Sequence, residues 1–130
     1  MSRFTRNTLF IGSLIMGLAV ILGAFGAHAL RDQIPQLQLE SYKTGVLYQF
    51  IHGMAILILG ALSTQMAEQK LRWAVVFFGL GTLLFSGSIY LLTTSSMTGI
   101  PKALLGPITP LGGLLFIGGW CTLAIQLLRK

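Results

Sequence analysis

Four long apolar runs, separated by short polar segments, constrain this chain more than any other feature of its sequence. We place them at residues 8–30, 36–64, 72–94 and 109–128. A helix rises ~1.5 Å per residue, so about 20 apolar residues cross a ~30 Å hydrocarbon core. Only 9% of the residues are charged, whereas soluble domains carry about 25%. The sequence predicts an all-α integral membrane bundle of four transmembrane helices, in a single membrane domain over residues 1–130.

The first apolar run has an alternative interpretation as a secretory signal peptide. It has a basic start, and Ala27-His28-Ala29 has the A-x-A form of a cleavage site. The apolar part of a signal peptide spans about 7–15 residues, however, and this run is longer. Three more apolar runs follow instead of a soluble domain. We therefore expect a retained first helix, whose small residues Ala19, Gly23 and Ala27, spaced four apart, favour close helix packing.

The basic residues predict the orientation. In a four-helix arrangement, six Lys and Arg residues lie on the side of the termini and three on the other side. The six are Arg3, Arg6, Lys70, Arg72, Arg129 and Lys130, and the three are Arg31, Lys43 and Lys102. The positive-inside rule then places both termini in the cytoplasm. This rule also explains the net charge of +6, and no basic run contains interleaved aromatics, so we expect no nucleic-acid partner.

Three polar side chains interrupt the second apolar run. Tyr48, Gln49 and His52 are three and four residues apart, which places them on one face of a helix. Polar groups at membrane depth are costly and rarely face lipid. This face is therefore expected to point into protein or into a wet cavity.

Other polar residues are expected in the same, outer half of the bundle. His28 ends the first helix, Ser86 and Tyr90 lie on the third, and Thr109 fits the N-cap of the fourth. The inner half is almost entirely apolar. We predict a ligand-binding cluster of His28, Tyr48, Gln49, His52, Ser86, Tyr90 and Thr109. The alternatives are structural: tyrosines at the interface, a serine bonded to a carbonyl, and Gln49 with His52 as a hydrogen-bonded brace.

The same residues argue against several kinds of chemistry. A proton path across the membrane needs titratable groups throughout, but the inner half offers only the weak acid Cys121. His28 and Asp32 have a spacing that suits metal ligands, yet Pro35 follows closely and Asp32 is expected beyond the helix end. Ser86 and Ser88 have a histidine in the bundle but no clear third group, and no elbow motif around a serine is present. We therefore expect no enzyme activity, no metal and no cofactor.

Four blocks of the sequence resemble a known family. They are Gly23-Ala-Phe-Gly-Ala-His-Ala-Leu30, Tyr48-Gln49-x-x-His52-Gly53, Phe85-Ser-Gly-Ser-Ile-Tyr-Leu91 and Gly106-Pro-Ile-Thr-Pro-Leu-Gly-Gly113. The chain resembles the family called domain of unknown function 423, which includes YgdD-like bacterial proteins and transmembrane-protein-256-like eukaryotic proteins. The resemblance covers essentially the whole chain. It implies a multi-pass, four-helix membrane protein and, for bacterial members, the inner membrane, but it implies no activity.

Together these patterns predict a multi-pass protein of the bacterial inner (plasma) membrane. We expect it to bind a lipid, a small ligand or a partner membrane protein through the polar cluster. The alternatives are a small transporter or channel that acts as an oligomer, and a purely structural accessory subunit. The expected partners are membrane lipids, with a homo-oligomer or a larger membrane complex as further possibilities.

Overall fold

The structure is a computed structural model, and it describes residues 1–129. Its helices are α1 (Arg3–His28), α2 (Gln36–Leu62), α3 (Glu68–Thr93), α4 (Ser95–Thr98), α5 (Lys102–Leu105) and α6 (Ile108–Leu128). Four of the helical segments are long and apolar enough to cross a membrane, and residues 1–129 contain no strand. The predicted all-α membrane fold is therefore confirmed. The side of the membrane on which the termini lie stays a prediction.

The helix ends differ in detail from the predicted ones. α1 begins at Arg3 rather than at residue 8, because the Ser2 hydroxyl accepts a hydrogen bond from the Thr5 amide at 3.0 Å and caps the helix. The predicted N-cap role of Thr109 is wrong, since Pro107 occupies the N-cap position of α6 and Thr109 lies inside the first turn. The connection before α6 contains the short helices α4 and α5.

The membrane helices pack in the order α1, α2, α3, α6, so each main interface joins consecutive membrane helices. About half of the spanning part of α2 is buried (50%), against 17% in α1 and in the segment that contains α6. α2 and α3 therefore form the centre, and α1 and α6 form the edges. Thr5 of α1 bonds Ser63 after α2 at 2.8 Å, and Lys70 of α3 bonds the carbonyl of Arg129 after α6. We call the opposite end, with the α1–α2 connection and α4–α5, the distal end.

Small residues let α1 approach α2 closely. The buried residues of α1 include a row spaced seven apart, made of Thr5, Gly12, Ala19 and Gly26. A Cβ on Gly12 would lie 2.8 Å from the Leu57 side chain, and one on Gly26 would lie 2.5 Å from the Tyr42 ring. A seven-residue spacing is typical of left-handed helix packing. Of the predicted row, Ala19 is buried in this interface and a Cβ on Gly23 would lie 3.3 Å from the Val46 side chain, whereas Ala27 is exposed and lies outside it.

The α3–α6 interface is equally tight. A Cβ on Gly112 would lie 2.3 Å from the backbone nitrogen of Phe85, and one on Gly119 would lie 2.6 Å from the Phe78 ring. Glycines at these positions let the two backbones approach where any side chain would hold them apart. We call the α1–α2 and α3–α6 interfaces the closed seams.

Candidate functional site

Gln49 of α2 joins three membrane helices. Its Nε2 donates to the Ile15 carbonyl of α1 at 2.9 Å, and its Oε1 accepts from the Tyr90 hydroxyl of α3 at 2.6 Å. The side chain is buried. Because both ends of the amide have protein partners, Gln49 and Tyr90 act as a hydrogen-bonded brace between helices.

Two further hydroxyls on the same helices also bond across an interface. Ser86 of α3 donates to the Gly45 carbonyl of α2 at 2.7 Å. Tyr42 of α2, which sequence reasoning did not single out, donates to the Leu22 carbonyl of α1 at 2.8 Å. These bonds satisfy polar groups that lipid cannot satisfy. They extend the brace along α2.

His52 links α2 to α6, although their backbones are not in extensive contact. Its Nε2 lies 3.2 Å from the Trp120 indole nitrogen, and its Nδ1 lies 2.8 Å from the Tyr48 carbonyl oxygen. An indole N–H is only a donor and a carbonyl only an acceptor. Nε2 therefore accepts and Nδ1 carries the proton, which is the neutral Nδ1–H tautomer. The ring stacks on Phe116 with centroids 3.5 Å apart.

Two of the predicted site residues lie apart from this brace. His28 is exposed at the end of α1, and its Nδ1 bonds the Ala24 carbonyl of the same helix at 2.9 Å. Thr109 bonds the Ser88 hydroxyl across the α3–α6 seam at 2.6 Å. The structure thus brings Tyr48, Gln49, His52, Ser86 and Tyr90 together around α2 and α3 but leaves His28 and Thr109 outside this group.

Three cavities follow one another between α2 and α6, with α3 as their floor, and we call this row the α2–α6 groove. Its distal cavity has a volume of about 540 Å³. Polar residues from α2, α3, α5 and α6 line it: Gln38, Ser41, Thr44, Thr93, Lys102 and Thr109. Among the lining residues that the structure describes, Lys102 carries the only charge.

The middle cavity of the groove is aromatic. It has a volume of about 370 Å³ and is lined by Tyr48, His52, Phe85, Phe116 and Trp120, among others. The Tyr48 ring packs on Phe85 with centroids 4.6 Å apart, yet 36% of the residue stays exposed. Tyr48 and His52 therefore face this cavity, while Gln49 faces the closed side of α2.

The third cavity, toward the termini, is apolar. It has a volume of about 240 Å³, and Met54, Ile58, Leu62, Met66, Leu123 and Leu127 are among its lining residues. It shares Ile51 and Trp120 with the middle cavity, so the two are continuous. The lining of the groove thus changes along its length, from an apolar wall that carries polar side chains and one lysine, through aromatic residues, to aliphatic ones.

One polar atom of the distal cavity is unsatisfied. The Gln38 Oε1 atom is buried and has no hydrogen-bond partner among residues 1–129. A separate cavity of about 340 Å³ between the ends of α1 and α2 carries Arg31 and Lys43. Within the described part of the chain, no three His, Cys, Asp or Glu residues cluster to hold a metal ion.

Sequence reasoning missed Trp120, Gln38 and Lys102 as site residues. Trp120 had a usable signal, because a tryptophan well inside an apolar run must find an acceptor for its N–H. Gln38 and Lys102 had none, since polar residues near helix ends are ordinarily solvated.

Similar proteins share the membrane architecture. Residues 22–113 match the DUF423 family, described as "Protein of unknown function". The UPF0382 membrane protein of Staphylococcus haemolyticus is 36% identical over 91% of this chain and 92% of its own length. The UPF0382 inner membrane protein YgdD of Escherichia coli K12 is 38% identical over 97% of this chain and 95% of its own. No solved structure matches the chain. With four helices that can span a membrane, the chain is a multi-pass protein of the bacterial inner (plasma) membrane, and it belongs to the DUF423 family.

Proposed function

We propose that the protein is a non-enzymatic lipid-binding protein that holds a membrane lipid in the α2–α6 groove. The observation that carries the proposal is the change of lining residues along the groove, from an apolar wall that carries polar side chains and Lys102, through aromatic residues, to aliphatic ones. A membrane lipid has the same order of chemistry, from headgroup through glycerol backbone to hydrocarbon. The headgroup lies in the distal cavity and the acyl chains lie against α2 and α6.

The position and size of the distal cavity support this assignment. Gln38 is in the first turn of α2, and Lys102 is the first residue of the fourth segment that can span a membrane. Both residues therefore lie near the depth of lipid headgroups. The volume of about 540 Å³ falls within the ~300–1,000 Å³ of typical ligand pockets.

The aliphatic third of the groove does not favour the transporter alternative. A path for a polar solute needs polar groups along its whole length, but the third cavity is lined by residues such as Met54, Leu62 and Leu127. Acyl chains need no such groups.

Two glycines on α6 allow a matched test of the groove. A Cβ on Gly113, which lines the middle cavity, would have its nearest neighbour, Phe85, at 3.8 Å. A Cβ on Gly118, on the other side of α6, would have Phe77 at 3.8 Å. The Cβ of a leucine therefore fits at both positions. Only Gly113→Leu places a side chain in the groove and narrows it.

The experiment is native mass spectrometry of the full chain, extracted in mild detergent with bacterial lipid. We expect wild-type protein and Gly118→Leu to retain one lipid and Gly113→Leu to lose it. Equal retention by all three proteins, or retention by none, contradicts the proposal. A second protein chain that is released by Gly113→Leu but not by Gly118→Leu also contradicts it, because a partner helix then occupies the groove.

A further inference from the structure

We infer that the Tyr48 hydroxyl binds an ester carbonyl of the lipid in the α2–α6 groove, so that the protein prefers diacyl lipids to ether-linked lipids with the same headgroup. The inference rests on the proposed function and narrows its ligand class. It follows from the polar side chains of the middle cavity, which are Tyr48, His52 and Trp120.

His52 and Trp120 have no hydrogen-bonding group left for a ligand. The Nδ1 atom of His52 donates to the Tyr48 carbonyl at 2.8 Å, and its Nε2 atom accepts from the Trp120 indole at 3.2 Å. The same bond uses the one N–H that an indole carries. Both rings therefore offer only apolar surface to the cavity.

The Tyr48 hydroxyl differs from both. The hydroxyls of the other two tyrosines are bonded to protein atoms, but that of Tyr48 has no partner in the part of the chain that the structure describes. Its ring packs on Phe85 with centroids 4.6 Å apart, yet 36% of the residue is exposed. Because neighbouring rings pack against the body of the side chain, the hydroxyl end is the part that a ligand in the groove can reach.

The position of Tyr48 along α2 fits the ester region of a lipid. The uncharged part of α2 begins after Lys43, and Tyr48 follows ~7.5 Å further along the helix axis. Aromatic side chains on a helix point back toward its amino terminus, which here is the distal end. Thr44, in the distal cavity, lies one turn before Tyr48. A phospholipid has the same order, since its ester groups directly follow the headgroup.

The chemistry at this depth favours a carbonyl. A phenol hydroxyl donates one hydrogen bond, and the ester carbonyls are the strong acceptors that a diacyl lipid has below its phosphate. A hydroxyl without a partner is costly in an apolar environment. An ether-linked lipid lacks these carbonyls, so it would cover the Tyr48 hydroxyl without bonding it well.

Two lipids that differ only in this linkage test the inference. One is dioleoyl phosphatidylethanolamine, and the other is its dioleyl diether analogue, with the same headgroup and the same chain length and unsaturation. Each lipid is titrated into delipidated full-length protein in dodecyl maltoside, a detergent that has no carbonyl group. Bound lipid is counted by native mass spectrometry.

We expect wild-type protein to bind the diester about three- to tenfold more tightly than the diether. Tyr48→Phe, which keeps the ring on Phe85, should bind both lipids with the affinity that wild-type protein has for the diether. Tyr42→Phe is the matched control. It removes a hydroxyl from the closed α1–α2 seam and should keep the preference for the diester.

Two results overturn the inference while groove binding survives. One is equal binding of diester and diether by wild-type protein, with both lipids lost in Gly113→Leu; this comparison does not depend on a tyrosine variant. The other is a preference for the diester that persists in Tyr48→Phe protein with an unchanged circular dichroism spectrum. If neither lipid binds wild-type protein better than Gly113→Leu, the proposed function itself fails, and the inference fails with it.

Discussion

The two sides of α2 are built differently, although both carry polar side chains. Toward α1, glycine and alanine bring the backbones together, and the Gln49 amide bonds Ile15 of α1 at one end and Tyr90 of α3 at the other. Toward α6, the contact is made by the side chains of His52, Phe116 and Trp120, and a groove remains. The size of the residues between two helices therefore decides which side can hold a ligand. A buried polar side chain does not by itself indicate a binding site.

The largest effect on stability is expected at Gly112, which lies in the closed α3–α6 seam, next to Gly113, which lines the groove. Gly112→Leu should lower the free energy of unfolding by about 3 kcal/mol or more, because overpacking against the Phe85 backbone has no rotamer that relieves it. Gly113→Leu should change it by less than about 0.5 kcal/mol. Unfolding in mixed detergent micelles, followed by circular dichroism, measures both. Equal destabilisation would show that the groove is as closed as the seam.

Removing the Gln49–Tyr90 brace should lower the free energy of unfolding by a smaller amount. Gln49→Leu removes the bonds to Ile15 and Tyr90, and interhelical hydrogen bonds in membranes contribute about 0.6 kcal/mol each, with a maximum near 1.7. We expect a loss of about 1–2 kcal/mol. Combined with Tyr90→Phe in a double-mutant cycle, the losses should be less than additive. Strict additivity would mean that Gln49 and Tyr90 do not interact.

Loss of the His52–Trp120 hydrogen bond, which links α2 to α6, should lower the free energy of unfolding by less still. Trp120→Phe keeps an aromatic ring on α6 but removes the donor to His52, at an expected cost of about 0.6 kcal/mol. Nitrogen NMR of ¹⁵N-histidine should show a protonated Nδ1 and a bare Nε2 on His52 in the wild-type protein. A proton on Nε2 would contradict the hydrogen bond from Trp120.

The smallest effect is expected at His28. Its side chain is exposed and bonds only to the Ala24 carbonyl of its own helix, so His28→Ala should change the free energy of unfolding by less than about 0.5 kcal/mol. Lipid binding should also be unchanged. A loss of bound lipid in this variant would extend the site to α1 and remove the distinction between the two sides of α2.

Apolar runs of about twenty residues predicted the four membrane helices. In lipid, backbone N–H and C=O groups have no water to bond, so an apolar segment that crosses the membrane must form a helix that satisfies them internally. Spacing also placed Tyr48, Gln49 and His52 on one turn of a helix. It did not separate Gln49 from His52, which are three residues apart yet bond different helices, Gln49 to α1 and α3 and His52 to α6. That division depends on which residues of α1 and α6 lie opposite, such as Gly12 or Phe116. The sequence of one helix does not contain this information.

The packing order of the helices has a consequence for biosynthesis. Each main interface joins a membrane helix to the next one made, α1 to α2, α2 to α3 and α3 to α6. Domains generally form as the chain emerges, from the amino terminus onward. Here the α1–α2 hairpin can form once Leu62 has entered the membrane. α3 then packs on the exposed face of α2, and α6 packs on α3. No earlier helix pair has to separate, so a ribosome-bound fragment that ends after α2 should already contain the Gln49–Ile15 bond.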